Sequence, residues 1–360
     1  MKKLISLFIS LAFAGSTFAQ MSGYSTSQSN GTTLGANETL TADGIALGNA
    51  VKLRGYVDLR LQRVDSDDDA EDKTHTSTDL DFLVDLSPVT AEVHLNVGGR
   101  NADRGDTYSS DLLEQAFGRY SFNQDFHLTF GRQVTSLGFD SDESTGRYAV
   151  TPAYHLSRKD YVDGIRLNYN NGMFGLILGL HDHYGIAKHG MEFLGEAINT
   201  DDELDDGIAI DIAASVVFFP GLEARLGLAN ENGQRSIIYE GQQIGGDDDA
   251  LQINGWLAWN PGDLTLAFEF DNINYSDAYE AWDIMLMASY QFSDFFAATL
   301  RYSHLDLEMD GVGEADFNRF TLALLFSITE NFDLNVEYSH TSADDDDDAN
   351  EFYLQGLIHF

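Results

Sequence analysis

From Val51 to its last residue the chain is written with a period of two. Val51, Leu53, Val57, Leu59 and Leu61 share one parity, and Lys52, Arg54, Asp58, Arg60 and Gln62 share the other. Leu80, Phe82, Val84 and Leu86 alternate with Asp79, Asp81 and Asp85. Phe332, Leu334, Val336 and Tyr338 alternate with Asp333, Asn335, Glu337 and Ser339. Successive side chains of a strand point to opposite faces, so this pattern predicts strands with one apolar and one polar face. Past residue 19 no apolar run reaches the roughly 20 residues of a membrane helix. The run GIAIDIAASVVFF at 207–219 is interrupted by Asp211. Such a chain either buries its apolar faces against one another in a soluble β protein or turns them to lipid. In lipid only helices and closed barrels leave no backbone group unpaired.

The alternation predicts sixteen strands, near 51–64, 77–87, 89–100, 110–122, 126–139, 161–170, 173–184, 207–219, 222–230, 250–260, 264–275, 280–292, 295–308, 317–328, 332–342 and 351–360. Seven of the connections are tight and carry Pro, Gly, Asn or Ser, as at Ser87-Pro88, Asn171-Gly172, Pro220-Gly221 and Pro261-Gly262. The other eight are longer, polar and often acidic, and the two classes alternate along the chain. An even strand number with short turns at one end and long loops at the other is the layout of a transmembrane antiparallel β-barrel. Aromatic residues gather beside the tight turns: Phe122, Phe126, Tyr169, Phe174, Phe218, Phe219, Trp259, Tyr290, Phe292, Phe295, Phe296, Phe326 and Phe332. Rings of this kind collect at membrane interfaces, so a girdle is expected at that end.

The N-terminus is read as an address. Lys2 and Lys3 precede an apolar stretch of 11 residues, Leu4 to Ala14, and small residues follow up to Ala19; this is the layout of a secretory signal peptide over 1–19. Residues 20–49 are polar, rich in Gly, Ser and Thr, and read as a flexible lead-in to a barrel over 51–360. The formal net charge of −39 lacks the basic footprint that nucleic-acid binding requires. The chain has no cysteine, which removes disulfide frameworks and thiolate metal sites.

Residues 351–360 read EFYLQGLIHF, with Phe352, Leu354, Gly356, Ile358 and Phe360 on one face. This ending looks like the signal that bacterial barrel-assembly machinery reads. With the leader, the sixteen strands and a Gly131-Arg132-Gln133 tripeptide on the fifth strand, residues 51–360 resemble the Gram-negative outer-membrane porins, in particular the β-barrel porin families. The resemblance implies a cell outer-membrane location among lipid and lipopolysaccharide, ion and small-solute transport, a homotrimer and no cofactor.

An arginine facing mid-bilayer costs roughly 2–4 kcal/mol, so strand arginines are expected to point inward. Arg54, Arg60, Arg166, Arg225, Arg301 and Arg319 all fall on polar parity and are read as pore-lining. Arg132 shares parity with Phe126, Leu128 and Phe130, which calls for a bulge after Phe130 or a different register; the fourth strand is ambiguous at Arg119. The third long connection, 140–160, carries Asp140, Asp142 and Glu143 early and Arg158 and Lys159 late. Likeness to porins implies that it folds into the pore with its acids facing the wall arginines; an ordinary surface loop is the alternative. Acidic runs at 65–72, 247–249 and 344–348 are expected in external loops, where they would favour cations mildly. None has calcium-loop spacing.

Other functions are weighed on residues. His181-Asp182-His183 puts two histidines on one face of a strand, but no third metal ligand is evident. Neither HExxH nor a Gly-x-Ser-x-Gly elbow occurs, so the chain is not read as an enzyme. Trp256 and Tyr353 are inward aromatics, sparse for the binding slide of a sugar-selective channel. A solute-selective channel, a barrel adhesin and an outer-membrane enzyme stay open as alternatives.

Overall fold

The structure, a computed structural model, describes residues 44–360 except 67–69, 99–111, 142, 154–155, 157–159, 187–206, 234–236, 240–241, 245–248, 277–278, 310–312 and 344–347. The leader 1–19 and most of 20–49 therefore lie outside the described residues. Sixteen long strands run in chain order. The first eight are β1 (Val51–Ser66), β2 (Ala70–Asp85), β3 (Val89–Gly98), β4 (Leu113–Ser121), β5 (Phe126–Val134), β6 (Tyr161–Asn170), β7 (Phe174–His181) and β8 (Gly207–Phe219). The second eight are β9 (Leu222–Gly233), β10 (Ala250–Trp259), β11 (Leu264–Tyr275), β12 (Tyr279–Ser293), β13 (Phe296–Met309), β14 (Gly313–Thr329), β15 (Phe332–Ala343) and β16 (Ala349–His359). Each pairs antiparallel with its sequence neighbours, and β16 pairs with β1, with Leu354 opposite Leu61 and Ile358 opposite Val57. The sheet is thus a closed sixteen-stranded barrel without a free edge.

The tight turns fall where expected and join the strands at one end. Gly172, Gly221 and Gly262 take φ of 83°, 88° and 96° there, a region that a Cβ would make costly. At the first of these turns Asn171 Oδ1 accepts from the N–H groups of Met173 and Phe174. The long connections share the opposite end. Several strand ends on the side of the long connections differ from the sequence reading, by up to seven residues at the start of β2 and four at the start of β14. β1 and β2 extend into the acidic run, to Ser66 and from Ala70, so its described residues are strand and not loop. β5 stops at Val134, five residues early, because Thr135 onward turns into the barrel.

Apolar residues of one parity line the outside: Leu300 is 61% exposed, Phe320 59% and Leu226 64%. On β12 the outward residues run Phe292, Tyr290, Ala288, Leu286, Ile284 and Trp282. Ten residues cover about 33 Å along a strand and about 25 Å along the axis at the usual barrel tilt, the height of a transmembrane apolar band. At the tight-turn end the aromatic rings pack on one another across β12, β13 and β14, where Phe292 stacks on Phe296 at 5.2 Å and Phe296 on Phe326 at 5.1 Å. A second band, Trp282, Tyr302, Phe320, Tyr338 and Phe352, marks the far side.

Arg132 stays on the outward parity; the β5 ladders carry no bulge there. Its Nη1 lies 3.2 Å from Oδ2 of Asp163, the outward residue opposite it on β6. An ion pair thus resolves the apparent conflict between charge and face. Arg119 points inward and is buried.

Candidate functional site: the barrel lumen and its inward loop

The inward parity is polar over most of the wall. All six expected arginines lie on it; Arg54, Arg166, Arg225, Arg301 and Arg319 are buried and Arg60 is half-buried. Most meet acids. Arg54 Nε is 2.7 Å from Asp81 Oδ2, and Arg60 Nη2 is 2.8 Å from Asp58 Oδ2. Arg319 pairs with Glu351 and approaches Glu337 at 3.9 Å, while Arg166 Nε lies 4.0 Å from Asp211. His94 bridges Asp81 and Glu92, at 2.9 and 3.1 Å. Removing one member of such a buried pair strands the other charge and costs several kcal/mol.

The described residues between Thr135 and Asp160 enter the lumen, and wall carboxylates hold their N–H and hydroxyl groups. A chain crossing a barrel interior exposes N–H groups that need acceptors. Phe139 N donates to Glu269 Oε1 at 2.7 Å, Leu156 N donates to Asp283 Oδ2, and Val150 N and Thr151 N donate to Glu337 Oε2 at 2.7 and 3.0 Å. Ser136 Oγ donates to Asp211, and Ser144 Oγ to Asp58 Oδ2 at 2.9 Å. Tyr184 Oη accepts from the N–H groups of Ser136 and Leu137, both at 3.1 Å. Arg301 closes the set, donating Nη2 to the carbonyls of Thr151 and Pro152 at 2.9 and 3.0 Å. Strands β1, β8, β11, β12, β13 and β15 therefore all grip one loop.

Apolar contacts complete the seat. Phe139 and Ala153 pack with Trp256, Ala267, Met285 and Met287, and Phe139 meets Trp256 edge-on at 5.6 Å. Trp256 lies under the loop, and Tyr353 is held to Gln62 and Glu351 by hydrogen bonds at 2.9 and 2.8 Å, so the two aromatics do not form a slide.

The expected loop acids divide. Asp140 Oδ2 faces Arg301 at 3.5 Å and accepts from Ala153 N at 3.1 Å. Glu143 meets other acids: one of its oxygens lies within 4.8 Å of oxygens of Asp79 and Glu114. Asp142 lies outside the described residues. The wall acids that seat the loop, Asp58, Asp211, Glu269, Asp283 and Glu337, were not singled out from sequence. Their signal was present in the same parity, beside inward apolar residues such as Ala267, Met285 and Met287, which mark a wall that something covers.

His181 is buried with Nε2 2.6 Å from Asp211 Oδ1, and His183 Nδ1 is 2.9 Å from Asp182. Each histidine is held by its own carboxylate, so the pair does not converge on a shared metal position. At the last strand, Phe352, Leu354 and Ile358 face outward, Gly356 shares their parity, and Phe360 exchanges both backbone hydrogen bonds with Gly55 at 2.9 and 3.0 Å.

A sequence profile described as putative β-barrel porin-2, OmpL-like, matches residues 88–356. No curated protein sequence matches the chain. Among solved structures, the fold is similar to OmpF of Salmonella typhi in complex with daunomycin, at 13% identity and TM-score 0.64 over 86% of this chain and 98% of that one. It is similar to an anion-selective porin from Comamonas acidovorans, at 16% identity and TM-score 0.60 over 86% and 99%. It is also similar to OmpT, an outer-membrane protein of Vibrio cholerae in a trimer form, at 13% identity and TM-score 0.58 over 87% and 100%.

Proposed function

Because the chain belongs to the putative β-barrel porin-2 (OmpL-like) family and folds as an outer-membrane channel, we propose that it conducts ions and small hydrophilic solutes passively, with a mild preference for cations. One observation carries the sign. Among the described residues, thirteen strand carboxylates are buried on the inward face against six buried arginines, Arg119 included. Rings of like charge set ion selectivity in such pores. The inward loop narrows the passage, which favours ions and small solutes over bulky ones. Transport of this kind needs no energy source or cofactor.

The six inward arginines and Asp140 supply the opposing charges of a transverse field at the constriction. His181, the residue most suggestive of catalysis, is taken up by Asp211, which supports a channel over an enzyme. In this reading residues 1–19 direct export, 20–49 form a linker before the barrel, and Phe352, Leu354, Gly356, Ile358 and Phe360 present the assembly signal. A homotrimer in lipid and lipopolysaccharide is the proposed assembly; OmpT of Vibrio cholerae has been described as a trimer.

The test is a planar-bilayer recording of the purified barrel under a tenfold KCl gradient. A reversal potential of the sign for K⁺ selectivity is expected. An anion-selective potential would overturn the preference, and the absence of any conductance would overturn the channel.

A further inference from the structure

Glu114 owes its direction to a break in the sheet. The β3–β4 ladder shifts register between His94 and Leu95, so His94 pairs with Gln115 and Leu95 with Leu113, leaving Glu114 as the extra residue. A bulge of this kind re-aims a side chain. Glu114 and Gln115 are both buried as a result, where simple alternation would bury one of them. Asn96 Nδ2 donates to Glu114 Oε1 at 3.0 Å and steadies it. Across from it, on the inward face of β2, stands Asp79, and the inward loop lowers Glu143 towards both. Glu143 is itself set by the Oγ of Ser141, which accepts from its N–H at 3.2 Å, and it begins the single helical turn Ser144–Gly146.

One oxygen from each of Asp79, Glu114 and Glu143 lies within 4.8 Å of the other two. Asp79 is the decisive member. It is 1% exposed, and among the described residues no N–H or hydroxyl group donates to either carboxylate oxygen. A buried carboxylate without a donor is expensive, and two further carboxylates beside it increase the expense. The neighbouring Asp81, engaged by Arg54 and His94, adds a fourth carboxylate beside it. Among the described residues no cation pairs with Asp79, and a compact positive charge at the centre of the three oxygens would answer it. Calcium takes oxygen ligands at about 2.3–2.6 Å, so two ligands on opposite sides of one ion stand about 5 Å apart. The observed spacing allows a single ion to reach all three without moving a strand.

We propose that Asp79, Glu114 and Glu143 form a calcium site that ties the inward loop to the β2–β4 wall. This wall is remote in chain order from Glu269, Asp283 and Glu337, which hold the loop from β11, β12 and β15. The ion would fasten the loop on this second side and cancel part of the negative charge beside the passage. Three carboxylates with the remaining positions filled by water suit the weak end of calcium affinity, about 10⁻⁴–10⁻³ M. The site builds on the channel reading only in its consequence; the binding itself is read independently of conductance.

The experiment is calorimetric titration of Ca²⁺ into the full folded barrel, stripped with EDTA and exchanged into detergent. Asp79→Asn, Glu143→Gln and a surface control, Asp249→Asn, are titrated alongside. A saturable event with one ion per chain is expected in the parent and the control, weakened at least tenfold in Asp79→Asn and in Glu143→Gln. Glu143 lies on the loop and not in a strand, so its variant tests the site even if Asp79→Asn fails to fold. Equal isotherms in parent and Glu143→Gln, or no saturable event up to 10 mM Ca²⁺ (about ten times the upper dissociation constant), would overturn the site. Neither result would alter the reversal potential that tests the channel.

Discussion

Glu337 is the wall residue on which the inward loop leans most. Its Oε2 receives the N–H groups of Val150 and Thr151, and its Oε1 receives the hydroxyls of Thr151 and Ser339. Replacing it with Leu keeps a strand-compatible side chain on the inward face and removes every acceptor. A hydrogen bond to a charged group contributes about 1.5–3 kcal/mol net, so losing the two backbone donors alone costs about 3–6 kcal/mol of loop docking. At about 1.4 kcal/mol per tenfold, the balance between seated and released 150–151 moves by at least about 10²-fold. Phe139 and Asp140 remain anchored at Glu269 and Arg301, so the loop loosens in the middle and does not leave the barrel. Single-channel recording should show larger and noisier open currents, and the amides of Val150 and Thr151 should exchange hydrogen faster by the same factor. Glu337→Gln keeps one acceptor and should fall between the two. The reasoning fails if Glu337→Leu inserts as a folded barrel whose conductance, noise and amide protection equal those of the parent.

The cation preference should divide into two parts when salt is raised: the contribution of the external acidic runs fades as the Debye length falls from about 10 Å at 0.1 M to about 3 Å at 1 M, while that of buried inward acids such as Glu269 persists. Glu269→Gln should therefore lower the permeability ratio at 1 M KCl, measured by reversal potential. Asp163→Leu leaves Arg132 unpaired on the outer face and should destabilise the barrel by about 2–4 kcal/mol in urea-refolding measurements in lipid; Arg132→Leu together with Asp163→Leu should recover most of that loss. Phe360→Ala should cut accumulation in the outer membrane of cells while detergent refolding changes little, because the backbone bonds of residue 360 to Gly55 remain.

The barrel was legible because its turns are chemically marked. Asn171-Gly172, Pro220-Gly221 and Pro261-Gly262 can do little but turn, so strand ends on that side were read almost to the residue. The opposite ends carry no such marks. Ala70 to Lys73 hydrogen-bonds as strand although AEDK has no apolar alternation, because pairing with β1 continues beyond the lipid and needs no greasy face. The overshoot of the fifth strand has the same origin. Thr135 to Phe139 continues a plausible strand pattern, and only the three-dimensional path shows Leu137 and Phe139 buried in the lumen. Arginines were found by their cost in lipid, an argument that applies to them individually. The seating acids were missed because each acts on a backbone N–H or a serine hydroxyl of a loop distant in the chain, and no local pattern encodes that partner.

The same acids decide what an ion meets in the lumen. Asp81 and Glu92 face Arg54, His94 and Arg119, so their charge is largely answered by neighbouring cations. Glu269 accepts from the Phe139 N–H of the loop and from the Asn254 amide, and Asp283 accepts from the Leu156 N–H, all of them neutral donors that cancel no charge. The β11–β12 wall, with Glu269 and Asp271, is therefore richer in acids than in bases, while the β1–β4 wall is closer to neutral, apart from the Asp79 cluster. Net preference then comes from a few carboxylates on one side of the passage and not from the −39 of the whole chain. Such an arrangement gives a cation preference that is small in size, asymmetric across the pore and tied to the seating of the loop, because the residues that bind the loop are the ones that carry the field.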